Sequence, residues 1–134
     1  MLLKAQGPTN YTSPRCEIDL REGGKYVFCM RAPDTHGGME SYSAGVYKRI
    51  VPTERLEFNS YLSDREGNAI DPVQVGVPSD FPRNIEFVIE FIAKGERTEL
   101  KITEYGWSAG EMMKNAILGM NQSLDKFAAN LNEL

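Results

Sequence analysis

The chain is poor in the residues that most often carry chemistry. Its 134 residues include one histidine, one tryptophan and two cysteines. The histidine, His36, lies in a turn-prone stretch, 32–39, with no cysteine or carboxylate pair at metal-ligand spacing, so it reads as an exposed loop residue and not a ligand. Cys16 and Cys29 fall inside expected strands and read as reduced, semi-buried fillers, too few for a disulfide framework. No apolar run approaches the ~20 residues of a membrane span. The opening Met-Leu-Leu-Lys-Ala-Gln-Gly-Pro lacks the apolar core of a signal peptide, which makes the cytoplasm the expected compartment. Positive charge is not in excess either: 15 Lys and Arg against 19 Asp and Glu leave a net charge of −4, which disfavours a nucleic-acid surface. Gly23-Gly24 and Gly37-Gly38 are turn glycines, not a phosphate loop. No nucleophile–base–acid set stands out, and no cofactor is expected. Glu86 and Glu90 sit two turns of alternation apart on one face of a strand, where solvation is the expected role.

What is present is pattern. Arg15 to Leu20 alternates charged and apolar residues with period two, as a half-buried strand does. Arg21-Glu22-Gly23-Gly24 is a hairpin loop. Lys25 to Arg31 sets Tyr26, Phe28 and Met30 on one face. Glu40 to Val51 is a longer strand whose facing is ambiguous, with Gly45 marking a bulge or a close approach of another backbone. After the turn Pro52-Thr53-Glu54, the strand Arg55 to Ser63 places Leu56, Phe58, Ser60 and Leu62 on one side. Arg83 to Ala93 is the cleanest strand, with Ile85, Phe87, Ile89 and Phe91 on its dry face. Arg97 to Trp107 follows the Lys94-Gly95-Glu96 turn with Leu100 and Ile102 inward. Residues 1–13 read as a loosely tied arm. Residues 64–82, rich in Gly and Pro, form a long loop that is either a lid, a binding loop or a surface excursion.

The C-terminal stretch 108–133 carries apolar residues at Met112, Met113, Ala116, Ile117, Met120, Leu124, Phe127, Ala128 and Leu131, one stripe of an α-helix. Ser108 and Glu111 stand at capping-box spacing. About 25 helical residues would span about 37 Å, and such a helix needs an apolar surface to lie on. About six strands joined by short turns supply it. The expected fold is α+β: one domain over 1–134, an antiparallel meander wrapped on a long C-terminal helix, the helix-grip arrangement.

Several segments together resemble the family of proteins similar to the activator of Hsp90 ATPase, within the START/Bet v 1-like helix-grip superfamily. They are Gly7-Pro8, Glu17-Ile18-Asp19-Leu20-Arg21-x-Gly23-Gly24-Lys25-Tyr26, Gly45-Val46-Tyr47 and Pro52-x-Glu54-Arg55-Leu56-x-Phe58. Pro78-Ser79-Asp80-Phe81-Pro82, Glu104-Tyr105-Gly106 and Asn121-Gln122-Ser123-Leu124-Asp125-Lys126 complete the set, which covers nearly the whole chain. The resemblance implies a further strand and two short helices ahead of the Gly-Pro equivalent, beside the last strand. This chain starts almost at that Gly-Pro. The expectation is a homodimer that covers the exposed edge or the open helix–sheet mouth.

The resemblance also implies a cavity between sheet and helix. Its candidate wall is Phe28, Met30, Tyr47, Phe58, Leu62, Phe87, Ile89 and Phe91 from strands, with Met113, Ile117 and Met120 from the helix. The same residues can equally form ordinary core, and the methionines can equally be interface. By alternation Glu104 shares the dry face with Leu100 and Ile102; it either points into the cavity or is wet at a splayed strand end. Trp107 is expected to pack the strand-to-helix corner. The ranking of functions is a noncatalytic binder of a small apolar molecule, then a co-chaperone-like domain for an Hsp90-type chaperone, then an enzyme built on Glu104 with Tyr47.

Overall fold

A computed structural model describes residues 9–77, 81–108 and 110–131, with backbone alone at 112 and 130. Most of the N-terminal arm, the Gly7-Pro8 and Pro78-Ser79-Asp80 segments, Met112 and the last helical residues expected lie outside the described side chains. The strands are β1 (Thr12–Ile18), β2 (Lys25–Arg31), β3 (Glu40–Val51), β4 (Arg55–Ser63), β5 (Ile85–Lys94) and β6 (Arg97–Tyr105), followed by α1 (Glu111–Leu131). They form one six-stranded sheet in sequential order, every neighbour antiparallel. This is the α+β helix-grip arrangement that the alternation and the amphipathic C-terminus predict. Among the described residues no helix is long and apolar enough to cross a membrane.

The register aligns the dry face into rows. Tyr47 pairs with Phe58, Phe58 with Phe87 and Phe87 with Glu104, so one row crosses four strands. Leu56, Ile89 and Ile102 form the next row. Phe58 and Phe87 stack at 4.9 Å, and Tyr26 meets Phe28, Tyr47 and Phe58 at 5.5 to 5.8 Å between ring centroids. Contacts of this kind add about 0.5–1.5 kcal/mol each beyond area burial.

Gly45 shows why an aromatic sheet tolerates a glycine. It is the cross-strand partner of Tyr26, whose ring lies over it. A methyl group there would overlap the Asn59 carbonyl oxygen and approach the Tyr26 ring to 2.7 Å. The register break in β3 falls later, between Tyr47 and Arg49. Gly45 is therefore a close approach and not the bulge itself. Tyr26 uses the space to donate its hydroxyl to the Asn59 carbonyl at 2.6 Å, tying β2 to β4 across β3.

The opposite face is wet over β4–β6 and dry near β1–β3. Arg55 bridges Glu57 at 2.7 Å and Glu90 at 2.8 Å, and Lys48 reaches Glu86 at 2.7 Å. These bonds hold the Glu57 and Glu86 carboxyls below their ordinary range. Beside β1–β3 the long loop folds back onto the sheet. Asp64 Oδ1 accepts from the N–H groups of Glu66 and Asn68, Tyr61 donates to the Gly67 carbonyl, and Ala69 bridges Ser63. Cys29, Ala44, Ser13 and Ser63 are buried beneath this region. Period-two alternation cannot see a loop that covers one end of a face. Residues 64–69 of the loop pack on the outer side of the sheet, while Phe81 near its end packs on Trp107.

α1 begins later than the capping box implies. The Gly110 carbonyl accepts the first helical bond, from Lys114 N–H at 3.1 Å, so Glu111 opens the helix instead of standing third in it. Its far end is tied to the chain start, with Thr9 N–H on Gln122 Oε1 at 3.0 Å and Lys126 Nζ on the Tyr11 carbonyl at 2.9 Å. Burial pushes the Lys126 amine down from its ordinary value.

Candidate apolar cleft between sheet and helix

The concave face and α1 do not close on each other; they leave a cleft with two compartments. The larger, about 460 Å³, is lined by Phe58, Phe87, Ile89, Phe91, Leu100, Ile102, Met120, Ser123, Leu124 and Phe127. Nine of these ten are apolar. The tenth, Ser123, donates its hydroxyl to the Gly119 carbonyl one turn back at 3.0 Å, so it presents little polarity to the space. Phe91, Leu100 and Phe127 are each about 40% exposed and form an apolar mouth beside β6.

The second compartment, about 300 Å³, shares Phe87, Met120 and Ser123 with the first. It is also lined by Phe28, Met30, Ile85, Ala116 and Gly119, and its polar lining is Ser60, Asn115, Glu104 and Trp107. The row Tyr47–Phe58–Phe87–Glu104 ends there, which is how strand alternation delivers a carboxylate to the dry face. Glu104 Oε1 accepts from Trp107 Nε1 at 3.0 Å. The Trp107 ring stands edge-on to Phe81 at 5.4 Å, so the corner packs on the long loop as expected while its N–H turns to the carboxylate and not to solvent.

Of the candidates, Phe58, Phe87, Ile89, Phe91 and Met120 line the larger compartment, and Phe28, Met30 and Glu104 the smaller. Four lie elsewhere. Tyr47 is buried inside the aromatic cluster with Tyr26 and Phe58, where burial pushes its hydroxyl pKa up. Leu62 lines a separate hollow of about 410 Å³ with Met39, Tyr42, Ile70, Val75 and Val77. Met113 is half-buried and lines neither compartment. Ile117 is 57% exposed, because one residue past Ala116 turns the side chain about 100° away from the stripe. Leu100, Ile102, Leu124 and Phe127 are wall residues that periodicity already placed on the dry side. Alternation also put Ser60 on that side, whereas Asn115 and Ser123 carried no such signal, since a polar residue on a helix reads as solvent-facing until its neighbours are known.

Glu104 is the one ionisable side chain among the residues lining the two compartments. An arrangement with apolar walls and one acceptor suits holding a molecule and orienting it. The described thiols are elsewhere: Cys29 is buried under the outer face and Cys16 is half-buried in β1, both free and both raised in pKa by burial.

A family model for the activator of Hsp90 ATPase homolog 1-like protein matches residues 1–132. The chain belongs to that family. Solved structures of similar fold include a protein from Chromobacterium violaceum at 23% identity, which covers 96% of this chain and 78% of that one with a TM-score of 0.70. A protein from Arthrobacter aurescens matches at 22% identity over 99% and 73% of the two chains, with a TM-score of 0.73. One from Nitrosomonas europaea matches at 18% identity over 98% and 79%, with a TM-score of 0.71. At such identities the likeness is one of fold. No curated protein matches. Across this family fold the sheet and the C-terminal helix face each other, and here the cleft between them is the space they leave.

Proposed function

We propose that the protein is a noncatalytic binding module for a small apolar molecule held between the sheet and α1. The observation that carries this reading is the larger compartment, about 460 Å³ with nine apolar walls of ten. Small-ligand sites span roughly 300–1,000 Å³, are mainly apolar and carry few polar groups, and the cleft has that character. An empty apolar surface of this kind gains from being covered by about 25 cal/mol per Å². The test is titration with the neutral fluorophore N-phenyl-1-naphthylamine, which brightens in apolar sites. Saturable binding with one site per chain is expected; fluorescence no greater than with an unfolded control sinks the reading.

The family description favours a second reading, an interaction domain acting on an Hsp90-type chaperone. Stimulation of Hsp90 ATPase turnover by the purified chain would support it. No stimulation together with saturable fluorophore binding leaves the ligand reading standing alone.

A further inference from the structure

The cleft is not uniformly apolar, and its asymmetry speaks to the ligand. At one end stands the mouth formed by Phe91, Leu100 and Phe127; at the other stands Glu104. One carboxylate oxygen of Glu104 is occupied by the indole N–H of Trp107 at 3.0 Å. Among the described residues no lysine or arginine pairs with Glu104, and its Oε2 has no protein donor. Glu104 is half-buried and has no cation beside it among the described residues, so a ligand that brings a positive charge gains a charge-assisted hydrogen bond there.

Resting on the binding reading above, we propose that the ligand is an amphiphile with a protonated amine head. The amine donates to Glu104 Oε2 in the smaller compartment, and the apolar body runs past Phe87 and Met120 into the larger one. The two compartments share those residues, so one molecule spans both. Asn115 and Ser60 line the same compartment. An alcohol of the same length keeps the apolar contact but offers no charge. A carboxylate of the same length meets Glu104 with like charge.

The test uses bound N-phenyl-1-naphthylamine displaced by decylamine, decanol or decanoate at pH 7 and physiological salt, which screens the surface charge. The native protein is expected to prefer decylamine over decanol by at least about tenfold, and decanol over decanoate, since charge-assisted hydrogen bonds are about twice as strong as neutral ones. Glu104→Gln should narrow the amine preference to within about threefold and strengthen decanoate. Trp107 is the chain's one tryptophan and is bonded to Glu104, so its emission reports the head group without any substitution. It should shift with decylamine and stay constant with decanol. Equal competition by decylamine and decanol, or an amine preference that survives Glu104→Gln, overturns the inference while fluorophore binding preserves the cavity reading. A native protein that does not bind the fluorophore overturns both.

Discussion

Removing one hydroxyl, Tyr26→Phe, tests the centre of the fold on which the cleft is built. The Tyr26 side chain is 4% exposed and donates to the Asn59 main-chain carbonyl at 2.6 Å. Phenylalanine keeps the ring contacts with Phe28, Tyr47 and Phe58 and loses the hydroxyl's bonds, this one and that with Ser60. A net hydrogen bond contributes about 1 kcal/mol, and leaving a buried carbonyl short of its donor costs about 1–3 kcal/mol, so a loss of about 1–2 kcal/mol at pH 7 is expected. For a domain of this size that lowers Tm by about 4–8 °C. The pH dependence supplies the sharper check. Burial pushes the Tyr26 hydroxyl well above its ordinary value, outweighing a hydrogen bond with Ser60 that lowers it. The folded chain therefore keeps this proton at a pH where the unfolded chain, with tyrosine near ~10, has released it. The stabilisation is full below about pH 10 and falls above it by about 1.4 kcal/mol per pH unit, until the folded value is reached. The variant lacks that loss, so the gap between the two proteins should shrink by about 1.4 kcal/mol between pH 7 and pH 11. Other raised groups, Tyr47 among them, are common to both proteins and cancel in the difference. Urea unfolding followed by circular dichroism, with reductant present, measures both values. No gap at pH 7, or a gap that is the same at pH 11, would refute a buried, hydrogen-bonded Tyr26.

Gly45→Ala should cost about 3 kcal/mol, at the upper end for overpacking, because the new methyl meets the main chain of β4 and the Tyr26 ring. A melting curve within about 3 °C of the parent would show that the strands separate there more easily than this geometry allows. Ser123→Phe places a ring where the two compartments meet, so fluorophore affinity should fall at least about tenfold, or 1.4 kcal/mol, with Tm held or raised. Unchanged affinity would move the binding site elsewhere. The outer edge of β6 has no further strand among the described residues. A second copy pairing antiparallel about Leu100 would set Glu99 opposite Lys101 twice, whereas registers centred on Glu99, Lys101 or Ile102 join like charges or none. Light scattering at micromolar concentration should then give twice the monomer mass, returning to monomer in Lys101→Glu and to dimer in Glu99→Lys/Lys101→Glu. A monomeric parent chain ends the dimer expectation.

Sequence alone determined the order and type of the elements. Alternation in Ile85–Phe91 and Leu100–Ile102, glycine-bearing turns at 23–24 and 95, and the three-and-four spacing from Ala116 to Phe127 are local signals, and local geometry reads them directly. It also determined which side of β4, β5 and β6 is dry, hence the placement of Phe58, Phe87, Ile89 and Glu104 on one face, and left the facing of β3 open. What it left open depends on contacts between distant segments. Periodicity marks Ile117 and Met120 alike, but only the axial rotation of α1 against the sheet puts Met120 in the cleft and leaves Ile117 exposed. Tyr47 and Leu62 share the dry face with Phe58, yet curvature of the sheet gives one to the aromatic core and the other to a separate hollow. The burial of Cys29 depends on how a loop some forty residues away folds back over the outer face. Glu104 carried two open readings in the sequence. The structure sets it half-buried among the residues lining the smaller compartment and bonded to Trp107 across a strand-to-helix corner that no period describes.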